Sequence, residues 1–285
     1  MPDTNNRTAT ARGIDCSTPL TGAKARQIAA AGHQFAARYL VPQEYKWKRL
    51  TRAEAEAITA AGMQVVSVFE TTANRPAGGA VYGNSDGVAA LKEAQAIRQP
   101  QGSAIYFAVD YDAQPGDYDA IEAYLKAAAA QIPGYEAGVY ASYAVVEEMA
   151  KRKACKHFWQ TYAWSRGKES SYANLYQYRN NVQVAGVEVD LNRSYGNEGW
   201  WNTNTNTSPA QTPSSSPTPN PSASPNTDSA NPNPAEGEIT MTREDAEKII
   251  RFLSAAWFAA ADQASKDEFN RLANEVRRAA GIQAE

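Results

Sequence analysis

Apolar positions in this chain fall into short β-rich runs and helix-spaced stripes, and the two alternate. Gly13-Ile14-Asp15-Cys16 and residues 33–40, 63–69, 103–109 and 138–141 predict strands. Between and after them, residues 21–31, 51–61, 86–98, 117–131 and 142–153 predict helices. After Ala154 the rhythm changes: 158–163, 173–178 and 182–191 are strand-like, with no convincing helix between them. Five βα units followed by three strands predict an α/β fold, a TIM-like (β/α) barrel of atypical form. In such a barrel the segments that follow the strand C-termini gather at one mouth, where chemistry is placed.

The carboxylates fall where that mouth is expected. Ala104-Ile105-Tyr106-Phe107-Ala108-Val109 runs into Asp110-Tyr111-Asp112. Strand side chains alternate, so Asp110 and Asp112 are predicted to share a face. Two like charges held close raise each other's pKa and can divide acid and base roles. Asp15, Glu70 and Asp190 close other strand-like segments and join them as catalytic candidates. Tyr111 and Tyr140, at strand ends, and Trp164, in the loop after the sixth strand, are candidates for lining the groove with flat, polar-edged rings. The remaining strand aromatics, Tyr39, Tyr106 and Trp159 among them, read as packing. Gly78-Gly79 lies in a predicted loop, 74–85, above the mouth and lacks the Gly-Lys-Ser/Thr signature of a phosphate loop. Trp200 and Trp201 are expected to close the domain by packing against it.

Composition then sets the domain limits. The barrel is assigned to residues 12–201. Residues 202–238 are almost entirely Asn, Thr, Ser, Pro and Ala and predict a semi-extended, disordered linker. Residues 239–285 predict a two-helix module. Thr242-Arg243-Glu244-Asp245 and Ser265-Lys266-Asp267-Glu268 fit N-terminal capping, Ile249, Ile250, Leu253 and Trp257 form one stripe, and Phe269, Leu272, Ala273 and Val276 form another. Gly281 is the expected stop. Two helices bury too little surface alone, so the module is expected to self-associate, to dock on the barrel or to bind a target. A formal net charge of −3 gives no electrostatic footprint for nucleic acid or an anionic membrane. No apolar stretch approaches the roughly 20 residues of a membrane span. Cys16 and Cys155 are too few for a zinc cluster or a disulfide framework, and Cys16 is expected to be a buried thiol. His33 and His157 are far apart in sequence; no metal or cofactor is expected. Residues 1–12 are polar and lack the apolar core of a signal peptide, so synthesis in the cytoplasm is expected.

Several of these segments together resemble a known family. Gly13-Ile14-Asp15, Tyr106-Phe107-Ala108-Val109-Asp110-Tyr111-Asp112 and Gly138-Val139-Tyr140 are similar to the glycoside-hydrolase-like domain once catalogued as domain of unknown function 1906. That domain is a relative of the glycoside hydrolase family 25 muramidases. Tyr176-Gln177-Tyr178 and Gly186-Val187-Glu188-Val189-Asp190-Leu191-Asn192 resemble the last two strands of those enzymes. Arg38-Tyr39-Leu40 and Lys48-Arg49-Leu50-Thr51-Arg52-Ala53-Glu54-Ala55 match the family's second βα unit. The resemblance spans residues 12 to about 201 and implies a peptidoglycan-degrading, lysozyme-like glycosidase laid out as a phage endolysin, acting at the bacterial cell wall after release on lysis. It adds Arg38 and Gln177 as substrate-binding residues. The muramidases place Asp-x-Glu where this chain has Asp110-Tyr111-Asp112, so the acid is one methylene shorter, and proton donation falls to Asp112 or to Glu70. Asp110 would orient or stabilise, and Asp15 and Asp190 would hold the field of the site. The resemblance also admits a cell-wall glycan-binding protein without efficient turnover, or an oligomeric phage or spore component assembled through the C-terminal helices.

Overall fold

The structure is a computed structural model that describes residues 7–204, 243, 246, 249, 250, 253, 271–278 and 280–282. Eight strands close into one barrel in chain order. They are β1 (Ala11–Asp15), β2 (Phe35–Tyr39), β3 (Gln64–Phe69), β4 (Ala104–Ala108), β5 (Glu136–Ala141), β6 (His157–Thr161), β7 (Leu175–Val184) and β8 (Val187–Ser194). Neighbours from β1 to β7 are parallel; β8 runs antiparallel to both β7 and β1. The crossovers after β1 to β5 carry α1 (Gly22–Ala30), α2 (Arg52–Ala60), α3 (Gly79–Ala96), α4 (Tyr118–Ala130) and α5 (Tyr143–Lys151). The five βα units followed by three strands are as the sequence predicts. Thr21 and Thr51 start α1 and α2 by accepting from the Lys24 and Glu54 amides at 3.3 and 3.2 Å, which satisfies amides that have no partner within the helix.

Strand alternation builds two cores. Phe35, Ala37, Val66, Val68, Tyr106, Ala108, Tyr140, Trp159 and Leu175 fill the barrel interior. Ile14, Ala36, Val65, Phe69, Ile105, Phe107, Val139 and Phe158 face outward into the helix layer. Both faces are buried along β2 to β6, as in parallel sheets covered on each side, whereas β7 and β8 alternate buried with exposed or half-exposed positions. The floor is sealed by the end of the domain. Trp201 pairs its backbone with Val65 and donates its indole N–H to Ser67 Oγ at 3.0 Å. Trp200 tilts against Phe35 with ring centroids 5.9 Å apart.

Two element boundaries differ from expectation. Residues 74–85 are not an irregular loop: a 3-10 turn, Arg75–Gly78, leads directly into α3 at Gly79. Glycines lower helix propensity, but here they admit α4. A Cβ on Gly83 would lie 2.2 Å from the Tyr124 carbonyl oxygen, and one on Gly87 2.7 Å from that of Ala128. The last two strands meet at Ala185 and Gly186 (φ 53° and 70°), a two-residue turn with positive φ at both positions. Residues 182–184 therefore belong to β7 and not to the final strand. The register shifts between Gln177, Arg179 and Val182 interrupt β7 where a chain break was expected.

The chain divides into two compact units, Met1–Pro213 and Ser214–Glu285. Of the expected linker, only 202–204 fall among the described residues. In the expected two-helix module, Arg243, Ala246, Ile249, Ile250, Leu253 and residues 271–278 are helical, and the remaining capping and stripe positions lie outside the described residues. Gly281 takes φ 64°, and the Ile282 amide bonds back to the Arg277 carbonyl at 2.8 Å, a left-handed helix stop. Among the described residues no helix is long and apolar enough to cross a membrane.

Candidate active site

Four strands deliver a carboxylate to one end of the barrel. Asp15 is the last residue of β1, and Asp190 on β8 is its direct cross-strand partner. Glu70 and Asp110 follow β3 and β4, two positions beyond the inward-facing Val68 and Ala108. All four line a cavity of about 110 Å³ whose walls include Tyr39, Tyr140, Trp159, Gln177 and Asn180. Trp159 and Tyr140 meet edge to face beneath it, 4.8 Å apart at 73°.

A hydrogen-bond network fixes the deeper pair. Tyr140 and Thr161 hydroxyls both donate to Gln177 Oε1 at 2.9 Å. The amide nitrogen of Gln177 is thereby turned to Asp15 Oδ2 at 3.0 Å and Asp190 Oδ2 at 3.1 Å. The Trp159 indole donates to Asn192 Oδ1 at 2.8 Å, so Asn192 Nδ2 donates to Asp15 Oδ2 at 2.6 Å. The donor-only Trp159 indole sets the Asn192 amide, and the Asp15 and Asp190 oxygens set that of Gln177. Asp15 is 6% exposed. Burial, then the Asp190 charge, push its carboxyl up to about 7 against the pull of the two amide donors. Burial also raises Asp190, aided by Asp110 and Glu188 and opposed by the Asn181 amide at 2.9 Å. Cross-strand like charges favour one proton on the pair.

The shallower pair faces a cation. Lys48, from the segment between β2 and α2, is buried with its Nζ 3.8 Å from Glu70 Oε1 and 4.4 Å from the Tyr39 ring centre. Burial lowers the Lys48 pKa, and Glu70 and Asp110 work against that. Burial raises both Glu70 and Asp110, with Lys48 opposing. The Asp110 charge adds to the rise at Glu70.

Among the sequence candidates, Asp15, Glu70, Asp110, Asp190, Tyr140 and Gln177 come together here. Asp112 does not. β4 ends at Ala108, and the Ala113 amide bonds back to the Tyr111 carbonyl at 2.8 Å. This turn carries Asp112 off the inward face, so strand alternation stops applying at Asp110. Asp112 is exposed and lines a separate groove of about 370 Å³ together with Trp164. Tyr111 packs against the outer core with its hydroxyl buried. Arg38 faces away from the cavity on the outer side of β2. It is fully buried, bonds Glu54 Oε1 at 2.6 Å, and also reaches the Cys16 and Lys48 carbonyls. Its parity with Ala36 gives that side, but Ala36 and Ala37 are equally apolar and do not say which face is interior.

Lys48, Asn180 and Asn192 are site residues that the pattern did not single out. Asn192 lies two positions from Asp190, on the same strand face, which is a usable signal. Lys48 sits in an irregular segment whose charge reads as solvated. Among the described residues no group of three or more His, Cys, Asp or Glu side chains is placed to hold a metal ion.

The family model of the Rv2525c-like, glycoside hydrolase-like domain matches residues 26–194. The chain belongs to that family. In this Rv2525c-like domain the matched segment opens inside α1, so β1 and Asp15 precede it. The Tat-secreted protein Rv2525c of Mycobacterium tuberculosis, solved with L-tartrate, shares the fold at a TM-score of 0.62 and 24% identity, over 67% of this chain and 98% of that one. A protein of B. stearothermophilus aligns at a TM-score of 0.51 and 20% identity, over 65% and 95% of the two chains. FadG of Bacillus subtilis (strain 168) is 32% identical over 116 residues, which is 37% of this chain and 19% of FadG. The match thus spans about a fifth of that relative's length.

Proposed function

We infer that this Rv2525c-like domain is a peptidoglycan glycosidase, lysozyme-like in its reaction and endolysin-like in its use, with bacterial cell-wall glycan as substrate. One observation carries the reading: four carboxylates from separate strands share one cavity at the C-terminal mouth of the barrel. Glycosidic cleavage needs a protonated carboxyl at the leaving oxygen and an ionised group at the oxocarbenium-like centre. Glu70 is assigned the first role, because Asp112 lies outside the cavity and burial and the Asp110 charge both favour a proton on Glu70. Asp110 takes the second role, either directly or by orienting a substrate 2-acetamido group that attacks in its place. Lys48 opposes the rise at Asp110, and Asp15 and Asp190, sharing a proton, fix the back wall through Gln177. The C-terminal helices are assigned to wall binding or self-association, and the protein to action at the cell wall.

The test is release of reducing ends from purified peptidoglycan. Asp110→Asn and Glu70→Gln should each lower it by about 100-fold or more, the scale of acid–base catalysis, with melting temperatures close to wild type. Undiminished release in both variants sinks the assignment. The turn that removes Asp112 favours a second reading, a glycan-binding protein with little turnover. That reading is supported if the wild type binds soluble glycan fragments and releases no reducing ends.

A further inference from the structure

At both Glu70 and Asp110, Lys48 is the charge that works against burial. Neither a strand nor a helix carries it: Lys48 lies between β2 and α2, beyond a 3-10 turn at Gln43–Tyr45. Its ammonium stands 3.8 Å from Glu70 Oε1, and 4.4 and 5.4 Å from the ring centres of Tyr39 and Trp47. A flexible four-carbon stem keeps such a position only where its root is held.

The root is held from the other side of the barrel wall. Arg38, fully buried on the outer side of β2, donates from three corners of its guanidinium. Nε reaches Glu54 Oε1 at 2.6 Å, Nη1 the Cys16 carbonyl, and Nη2 the Lys48 carbonyl at 3.1 Å. Two of these partners are anchored independently. Cys16 follows β1 directly, and Glu54, in the first turn of α2, also accepts from the Leu20 amide at 2.8 Å. The third partner is the backbone of Lys48 itself. Arg49 ties the next residue to Glu93 on α3 at 2.8 Å and to the Val41 carbonyl at 3.1 Å. The segment thus has two pins, and Arg38 is the one at Lys48.

A buried ion pair is a poor source of stability, because desolvation offsets most of the attraction. This pair is incompletely satisfied as well: Glu54 Oε2 is buried and takes no hydrogen bond among the described residues. What the planar fork supplies is geometry, three fixed directions that a lysine ammonium does not reproduce. We propose that Arg38 is a positioning residue of the site: it acts through the backbone of Lys48 and aims that ammonium at Glu70 and Asp110 from outside the barrel wall. The catalytic consequence rests on the glycosidase reading of the cavity; the placement of the charge does not. The groups that face the ammonium are Glu70 after β3, Asp110 after β4 and the Tyr39 ring on β2. Glu54 on α2 and the Cys16 thiol after β1 face the guanidinium.

The test follows the carboxyl carbons of Glu70 and Asp110 by NMR through a pH titration of the full chain, with Glu70→Gln and Asp110→Asn giving the assignments. Arg38→Lys keeps a cation opposite Glu54 and loses the fork. It should move both titrations upward by about half a pH unit or more, in the direction that Lys48→Met moves them. Added to Lys48→Met, it should move them no further. The acid limb of the pH profile for reducing-end release should rise together with the Asp110 titration. Where Arg38→Lys does not fold, Arg38→Met with Glu54→Gln takes its place, since it leaves neither charge buried alone, and the same shift is expected. Wild-type titrations in variants that have lost only melting temperature, or shifts of Arg38→Lys and Lys48→Met that add in full, overturn the proposal. Shifted titrations in a protein that releases no reducing ends sink the glycosidase reading and leave the positioning role standing. Release with an unmoved profile and unmoved titrations sinks the positioning role alone.

Discussion

Asp15 is a carboxyl held away from water opposite a second carboxyl, and its cost depends on pH. Its value rises from an ordinary 3.8 to about 7 in the fold, so between those pH values the native state binds more protons than the unfolded chain. Stability from this residue is whole below about 3.8, shrinks as pH rises, and is gone once pH passes about 7. Wild-type protein should therefore lose melting temperature between pH 4 and 7, and Asp15→Asn should flatten that slope and be the more stable of the two at pH 8. A variant with the same slope as wild type would place the titration elsewhere. Arg38 is the contrasting case: a charge that stays buried because Glu54 answers it within the helix layer. Residue types and two-residue periodicity made Asp15, Glu70, Asp110 and Asp190 legible as one set. Asp112 and Arg38 were not correctly placed, because the first depends on where a strand stops and the second on which apolar face is inside.

At the scale of elements, α3 shows how packing overrides propensity. Its sequence is poor in helix formers over the first turns, so the pattern predicts a helix only from residue 86. The missing information is the approach of α4, which the glycines make possible and no local rule contains. Alanine in place of glycine inside a helix ordinarily adds up to about 1 kcal/mol. Gly83→Ala should instead destabilise by about 1–3 kcal/mol, as overpacking does, because the neighbouring atom is a backbone oxygen. Urea denaturation decides the sign, and a stabilised variant would mean that α3 and α4 are not in contact at Gly83. The β7–β8 turn is the same lesson in a strand. Val184-Ala185-Gly186-Val187 reads as one apolar run, and only the positive φ values at its centre reveal the reversal.

For the whole molecule, the alternation of elements was enough to give the barrel, since five crossovers and three closing strands leave few other ways to bury both faces of β2 to β6. Closure itself is a long-range event. The Ile14–Leu191 pairing joins the two ends of the domain, and Trp201 returns to β3 to complete the floor. Trp201→Ala should lower unfolding free energy by about 3–5 kcal/mol, the usual cost of emptying a buried Trp site, while leaving the carboxylate cavity at the far end unchanged in its pH dependence. An altered pH profile would show that the floor and the mouth are coupled.

That floor has a consequence for how the domain can be carried. Thr10 meets Ser194, and Asn202 meets Gln64, so the polypeptide enters and exits through the same blind side. A fusion partner, surface anchor or tandem copy spliced on at either junction would tether the barrel from behind. The carboxylate mouth would lie on the side of the barrel away from either junction.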